Sequence, residues 1–155
     1  MEVERKFLLA ERPEGLEGHA AHRLEQGYLA IDPAGAEVRV RRKDDKTLMT
    51  VKSGIGLVRA EEEFAVDPER FERLWPLTEG RQVVKTRYLV PLDGELTAEV
   101  DDYEGALAGL LTAEVEFADE ASAHAFQAPA WMGEDVTGDK RYANRTLAVD
   151  GIPSR

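Results

Sequence analysis

Cysteine is absent from the 155 residues, which excludes disulfides, thiolate metal centres and cysteine nucleophiles together. Long apolar runs are absent too. Nothing approaches the ~18 residues of a membrane span, so no membrane partner is expected. Positive charge is scarce: 20 Lys and Arg stand against 31 Asp and Glu, for a net charge of −11. Binding nucleic acid by neutralising its phosphates needs an excess of cations, so a general nucleic-acid surface is excluded. A tight cationic cluster inside an acidic shell is not excluded. Met1 is followed at once by the charged run EVERK; no secretory leader is expected there, and the cytoplasm is the expected compartment.

What the chain does have suits one folded domain spanning residues 1–155. It is 43% apolar and 33% charged, which is outside the disordered range and enough for a core. The dominant pattern has period two, the signature of strands. It predicts strands near residues 2–9, 24–31, 36–43, 46–52, 57–66, 81–90, 95–102 and 110–118. Asp32-Pro33-Ala34-Gly35, Asp44-Asp45, Ser53-Gly54-Ile55-Gly56 and Asp93-Gly94 suit short antiparallel connections, Asp93-Gly94 most of all. Residues 10–23 read as a loop with a helical turn. A helix is expected to open at Asp67-Pro68, with Asp67 as cap and Pro68 at the first helical position. A second starts at Asp119 and stops before Pro129, and a third runs from about Asp139 to Leu147. The expected fold class is α+β, mainly β: an eight-stranded antiparallel meander closing into a barrel, with a few covering helices.

Successive side chains of a strand point to opposite faces. One face therefore gathers Glu2, Glu4 and Lys6 from the first strand, then Arg39 and Arg41, Thr50 and Lys52, and Arg59, Glu61 and Glu63. The later strands add Lys85 and Arg87, Glu99 and Asp101, and Glu114 and Glu116. On any one strand a half-exposed sheet gives the same alternation. Two features of the whole set favour a shared charged interior. The polar rows are nearly pure charge, with seven cations and eight carboxylates. The signs are also segregated, whereas a surface built for solubility intersperses them. Buried charge costs several kcal/mol per ion unless compensated. Cations on one wall suit phosphate oxygens, and carboxylates on the other suit hard divalent cations. That combination is the complementarity used in phosphoryl-transfer sites.

The opening MEVERKFLL resembles the ExExK signature of the CYTH family, the triphosphate tunnel metalloenzymes. The likeness continues in order through QGYL with Tyr28, VRVRRK, LMTVKSG, RAEEEF, LTEGRQVVKTRY, EVDDYEGALAGLLTAEVEF and GEDVTGDKRYANRTL. One ExExK is a weak signal; eight motifs in order over residues 2–147 are a specific one. The resemblance implies a closed eight-stranded tunnel with a charged interior and Mg2+ or Mn2+ as cofactor. It also implies a small triphosphate as substrate. Hydrolysis of inorganic tripolyphosphate to pyrophosphate and phosphate is the leading expectation. Nucleoside or thiamine triphosphatase, adenylate cyclase and a non-catalytic polyphosphate-binding module are the alternatives.

On that reading Glu2, Glu4, Glu114 and Glu116 hold metal, and Arg39, Arg41, Lys52, Arg59, Lys85 and Arg87 bind phosphate. Lys6 and Tyr28 serve catalysis, Lys6 as an amine made neutral by crowding cations or as a further clamp. Glu61, Glu63, Glu99 and Asp101 stand behind these residues and orient them. Arg42 and Lys43 are set aside as off-register or near a turn. Trp75, Trp131, Tyr103 and Phe117 are expected in outer packing, and Tyr142 and Arg145 in helix packing or at the surface. His19 and His22 have HxxH spacing but no third ligand in sight, and zinc is not expected there. The oligomeric state stays open, a homodimer included.

Overall fold

The computed structural model describes residues 3–53 and 60–154. Eight antiparallel strands carry the fold: β1 (Val3–Leu8), β2 (Ala20–Ile31), β3 (Glu37–Lys43), β4 (Lys46–Ser53), β5 (Ala60–Ala65), β6 (Gln82–Pro91), β7 (Thr97–Tyr103) and β8 (Leu111–Phe117). Three short helices accompany them: α1 (Pro68–Leu74) between β5 and β6, and α2 (Glu120–Ala125) and α3 (Asn144–Asp150) after β8. Among the described residues, no helix is long and apolar enough to cross a membrane.

The strands form one sheet in the order β1-β8-β7-β6-β2-β3-β4-β5. This is two meanders, β2 to β5 and β6 to β8, joined where β2 pairs with β6, with β1 added beside β8. It is not the single meander expected from sequence. The turns at Asp32-Pro33-Ala34-Gly35, Asp44-Asp45 and Asp93-Gly94 are where they were expected, and Gly94 takes the positive φ of 74° that its tight turn requires; Gly54-Ile55-Gly56 of the fourth expected turn lie outside the described residues. The departures occur at the long connections. Residues 9–19 carry the chain away from β1, and α1 carries it across the sheet between β5 and β6. Local turn chemistry has no information about where such a connection returns.

Among the described residues no ladder joins β1 to β5, so hydrogen bonds do not close the sheet. The free edge of β1 is covered instead by the segment 133–137. Leu8 N donates to Glu134 O, Gly133 N to Leu8 O and Val136 N to Lys6 O, each at 2.8 Å. Strand β2 starts at Ala20, four residues earlier than its alternation suggests. Ala20 to Arg23 have no apolar rhythm of their own; they are strand because they pair with Leu89 to Thr86 of β6. His22 is thus a strand residue whose Nδ1 lies 2.7 Å from Asp44, not a loop residue.

The helix starts follow from their caps. Asp67 accepts from Arg70 N at 2.7 Å with Pro68 behind it, and Asp119 accepts from Ser122 N at 2.7 Å. The expected third helix divides. Asp139 accepts from Arg141 N and closes a 3-10 turn over Lys140–Tyr142; Ala143 is extended, and only then does α3 begin.

The sheet has two buried surfaces. On the outer one, Phe7, Val100, Ala113, Val115 and Phe117 pack with Ala123 of α2 and Met132. Gly27 lets β2 approach the turn Trp75–Thr78 closely: a Cβ there would sit 2.4 Å from Thr78 Oγ1. On the inner one, Leu8, Tyr28, Val83 and Tyr103 pack with Val136, Tyr142, Leu147 and Ala148. So α1 and α2 cover the outer face as expected, but α3 lies against the inner one. Tyr103 is an inner-face residue, not outer packing, and Tyr142 packs with α3 on the same face.

Candidate active site

Directly opposed residues of an antiparallel pair share a face. Across β1, β8, β7 and β6 the register sets Glu4 opposite Glu116, Lys6 opposite Glu114, Glu114 opposite Glu99 and Asp101 opposite Arg87. Lys85 and Arg87 lie opposite Leu24 and His22 of β2. In β2 to β5, Gln26 opposes Arg41, Tyr28 opposes Arg39, Thr50 opposes Arg39 and Glu63, and Lys52 opposes Glu37 and Glu61. One face therefore carries every sequence-derived candidate that is described. Glu2 and Arg59 lie outside the described residues.

Three hollows open on this face. The largest, about 490 Å3, is lined by Tyr28, Glu37, Arg39, Arg41 and Lys52, with Asn144 and Arg145 from α3. A second, about 420 Å3, is lined by Glu4, Lys6 and Glu114 and by the segment Val136 to Asn144. A narrow one of about 100 Å3 lies among Arg41, Lys43, Lys85, Arg87 and Asn144. Strands from both ends of the sheet thus meet the same short C-terminal segment. The sheet curls around it, and this curl turns the charged rows towards one another.

The cations are held by buried acids. Asp101, with no exposed side chain, accepts from Lys85 Nζ at 2.8 Å and from Arg87 Nε and Nη2 at 2.8 and 2.9 Å. Burial alone would raise its pKa. The Arg87 hydrogen bonds, with Lys85 beside them, outweigh burial and hold Asp101 below the ordinary carboxylate value. Arg87 also reaches Glu99 at 3.1 Å. Glu37, buried, accepts from Arg39 at 3.0 Å. Glu63 accepts from Thr50 at 3.1 Å; it and Glu61 are exposed. The Arg39 Nε is buried without a hydrogen-bond partner among the described residues.

Lys6 is held by a carbonyl and an acid. Its ammonium donates to the Tyr142 carbonyl at 2.6 Å and lies 3.6 Å from Glu114. Tyr28 is 1% exposed, and its hydroxyl accepts from Gln26 Nε2 at 2.8 Å. Burial, with the Glu37 charge added, pushes its pKa up, so the phenol keeps its proton. Tyr103 lies under Lys85, with the ammonium 5.2 Å from its ring, and burial pushes its phenol up to about 12.

At the acidic end, like charges oppose one another on neighbouring strands, an unfavourable pairing without a cation between them. The donors are all hard oxygens, which suit a divalent ion of the Mg2+ kind. Among the described residues, no three His, Asp or Glu side chains stand grouped to hold a metal as they are.

Sequence reasoning passed over four residues here. Glu37 belongs to the inner row by parity but precedes the run of arginines. Lys43 ends β3 beside the Asp44-Asp45 turn, as expected; it also shares parity with Arg39 and Arg41 and lines the narrow hollow. Arg42 was set aside correctly: it faces outward, bonded to Glu25 and Glu72 over the Phe71 ring. Arg145, expected at the surface, lines the largest hollow and donates to Asp32 O at 3.0 Å. Asn144 carried no periodic signal that could have marked it.

Residues 1–146 match the model of the CYTH domain. The chain is 50% identical over 149 residues to an inorganic triphosphatase of Nitrosomonas europaea, covering 96% of this chain and 97% of that protein. It is 38% identical over 149 residues to an inorganic triphosphatase of Acetivibrio thermocellus, covering 94% and 92%. Among solved structures, the crystal structure of the inorganic triphosphatase NE1496 superposes with a TM-score of 0.86 at 44% identity, over 99% of this chain and 97% of that one.

Proposed function

Given that the chain belongs to the CYTH domain family, we propose that it hydrolyses a phosphoanhydride of a triphosphate. The leading substrate is inorganic tripolyphosphate, which with one water gives pyrophosphate and phosphate. One observation carries this reading: arginine and lysine line one part of the inner face, carboxylates line the other, and both open on the same C-terminal segment. Its relatives in Nitrosomonas europaea and Acetivibrio thermocellus are named for the same activity. Within the reading, the curled sheet works as a closed tunnel around its substrate, in the cytoplasm.

Arg39, Arg41, Lys52, Lys85 and Arg87 hold phosphate oxygens, and Arg59 is assigned with them on its sequence parity. The guanidinium forks bind in bidentate fashion and the lysines act as point charges. Asp101 and Glu99 fix Arg87, and Glu37 fixes Arg39, so the forks are set before substrate arrives. Glu4, Glu114 and Glu116, with Glu2, would hold Mg2+ or Mn2+. Such an ion supplies polarisation of the phosphoryl oxygens and neutralises charge developing on them. Lys6, anchored on the Tyr142 carbonyl at the acidic end, holds the attacking water or a terminal phosphate oxygen. Tyr28, with its proton retained, donates a hydrogen bond beside Arg39 and does not act as a base.

The test is turnover of tripolyphosphate, ATP, thiamine triphosphate and pyrophosphate across a titration of Mg2+ and Mn2+. Tripolyphosphate is expected to be cleaved fastest, with strict dependence on added metal. Cyclic AMP from ATP would instead make it a cyclase, and tight binding without turnover would make it a binding module.

A further inference from the structure

Asn144 lines all three hollows, and among the described residues no other side chain does. It stands where the cations of β3 and β4, the cations of β6, and the acidic group of β1 and β8 come together. Its Oδ1 is buried and has no hydrogen-bond partner among the described residues. Buried polar atoms are nearly always paired, so such an atom calls for a reason.

Helix capping is not that reason. Asparagine is a weak helix former whose usual role at a helix start is to cap. Here the cap position is Ala143, and no side chain caps α3. The first turn closes without the carboxamide, through Leu147 N donating to Ala143 O at 2.9 Å.

We propose that Asn144 is a substrate-binding residue for the triphosphate, holding the middle of the chain at the junction of the cationic and acidic regions. The assignment rests on the triphosphatase reading above and goes beyond it. The carboxamide has two N–H donors and one acceptor and no charge. Its nitrogen donates to a non-bridging phosphate oxygen, and its oxygen accepts from a water at the junction. Neutrality is the useful property. An aspartate here would repel phosphate, and a lysine would repel a cation held by Glu4 and Glu114. An amide opposes neither. A triphosphate is long enough to need a contact between the two regions; a pyrophosphate bound at one end is not.

The test compares the parent protein with Asn144→Ala, Asn144→Ser and Asn144→Asp. Each is assayed for steady-state hydrolysis of tripolyphosphate and for thermal midpoint. Calorimetry measures binding of tripolyphosphate and of pyrophosphate without added metal. For Asn144→Ala the expected result is an unchanged thermal midpoint, KM and Kd for tripolyphosphate raised about tenfold, the scale of one hydrogen bond to a charged group, and Kd for pyrophosphate moved less than threefold. Serine, which keeps a donor, is expected to recover part of the loss, and aspartate to bind tripolyphosphate worst. Kd and KM for tripolyphosphate within twofold of the parent in Asn144→Ala would overturn the assignment. A lowered thermal midpoint with alanine and serine equally impaired would overturn it too, because the loss would then belong to α3 and not to a substrate contact. If the parent turns over no triphosphate, the functional reading fails, and the calorimetry still decides whether Asn144 touches a triphosphate.

Discussion

Asp101 holds Arg87 through both carboxylate oxygens, at 2.8 Å from Nε and 2.9 Å from Nη2, and is itself wholly buried. Lys85 completes the cluster on the same carboxylate. Two inner-face cations therefore depend on one acid.

Replacing Asp101 is expected to destabilise the protein strongly. Removing one partner of a buried pair costs about 3–5 kcal/mol, because the others stay buried and uncompensated. The sign with pH follows from a folded pKa below the unfolded one. The stability contributed by Asp101 is full above the ordinary carboxylate pKa and is lost as pH falls through the lower folded value. Urea unfolding of the parent and Asp101→Asn should show a gap that is widest near neutrality and narrows in acid. A gap that stays constant down to strongly acidic pH would contradict the assignment.

The double variant Glu114→Gln with Glu116→Gln is expected to stay folded and lose activity. The loss should exceed the ~10–100-fold that removing a group behind a metal ligand causes. Glu116 is exposed, and Glu4 directly opposes it, so its neutralisation relieves repulsion and does not break packing. Circular dichroism and a metal titration of the residual rate check both halves. Undiminished activity with the parent's metal dependence would remove these carboxylates from the site.

Lys43→Ala addresses a residue that its register places beside Arg41 and Lys85. The side chain is exposed, so its pull on phosphate is screened. A rise in KM of up to about fivefold is expected, the scale of an exposed ion pair, with kcat unchanged. The effect should shrink as salt is added. Arg41→Ala, from a half-buried site, should cost more and depend less on salt. Equal KM values for Lys43→Ala and the parent at low salt would put Lys43 back outside the site.

Gly27→Ala tests the outer packing that supports Tyr28 and Gln26. The new methyl would meet Thr78 Oγ1 at 2.4 Å and its Cβ at 2.6 Å. Overpacking of this kind costs about 1–3 kcal/mol, read as a lowered thermal midpoint. Activity per folded molecule is expected to hold if the turn Trp75–Thr78 yields, and to fall if β2 shifts and carries Tyr28 with it.

The inner row from Glu4 to Glu116 was legible before any fold was known. Which face a side chain takes depends only on its parity within a strand, and parity is written into the covalent chain. The same rule places Glu37 on the inner row, where it went unused, and it had no rhythm to act on in Ala20 to Arg23. Hairpin turns and the caps at Asp67 and Asp119 were legible for the same reason: their chemistry is local.

Strand order was not local. Nothing within residues 9–19 or α1 says that β6 returns beside β2, or that 133–137 covers β1; those pairings are settled by what buries the most surface at a distance. The inward position of α3 is the clearest case. From its sequence it reads as one more covering helix, yet the apolar patch of Leu8, Tyr28, Val83 and Tyr103 leaves room for Leu147 and Ala148 on the charged side of the sheet. The amino-acid order alone therefore determined which residues share a wall. The tertiary structure alone decided that the wall curls around Asn144, because curvature arises from packing between segments far apart in the chain.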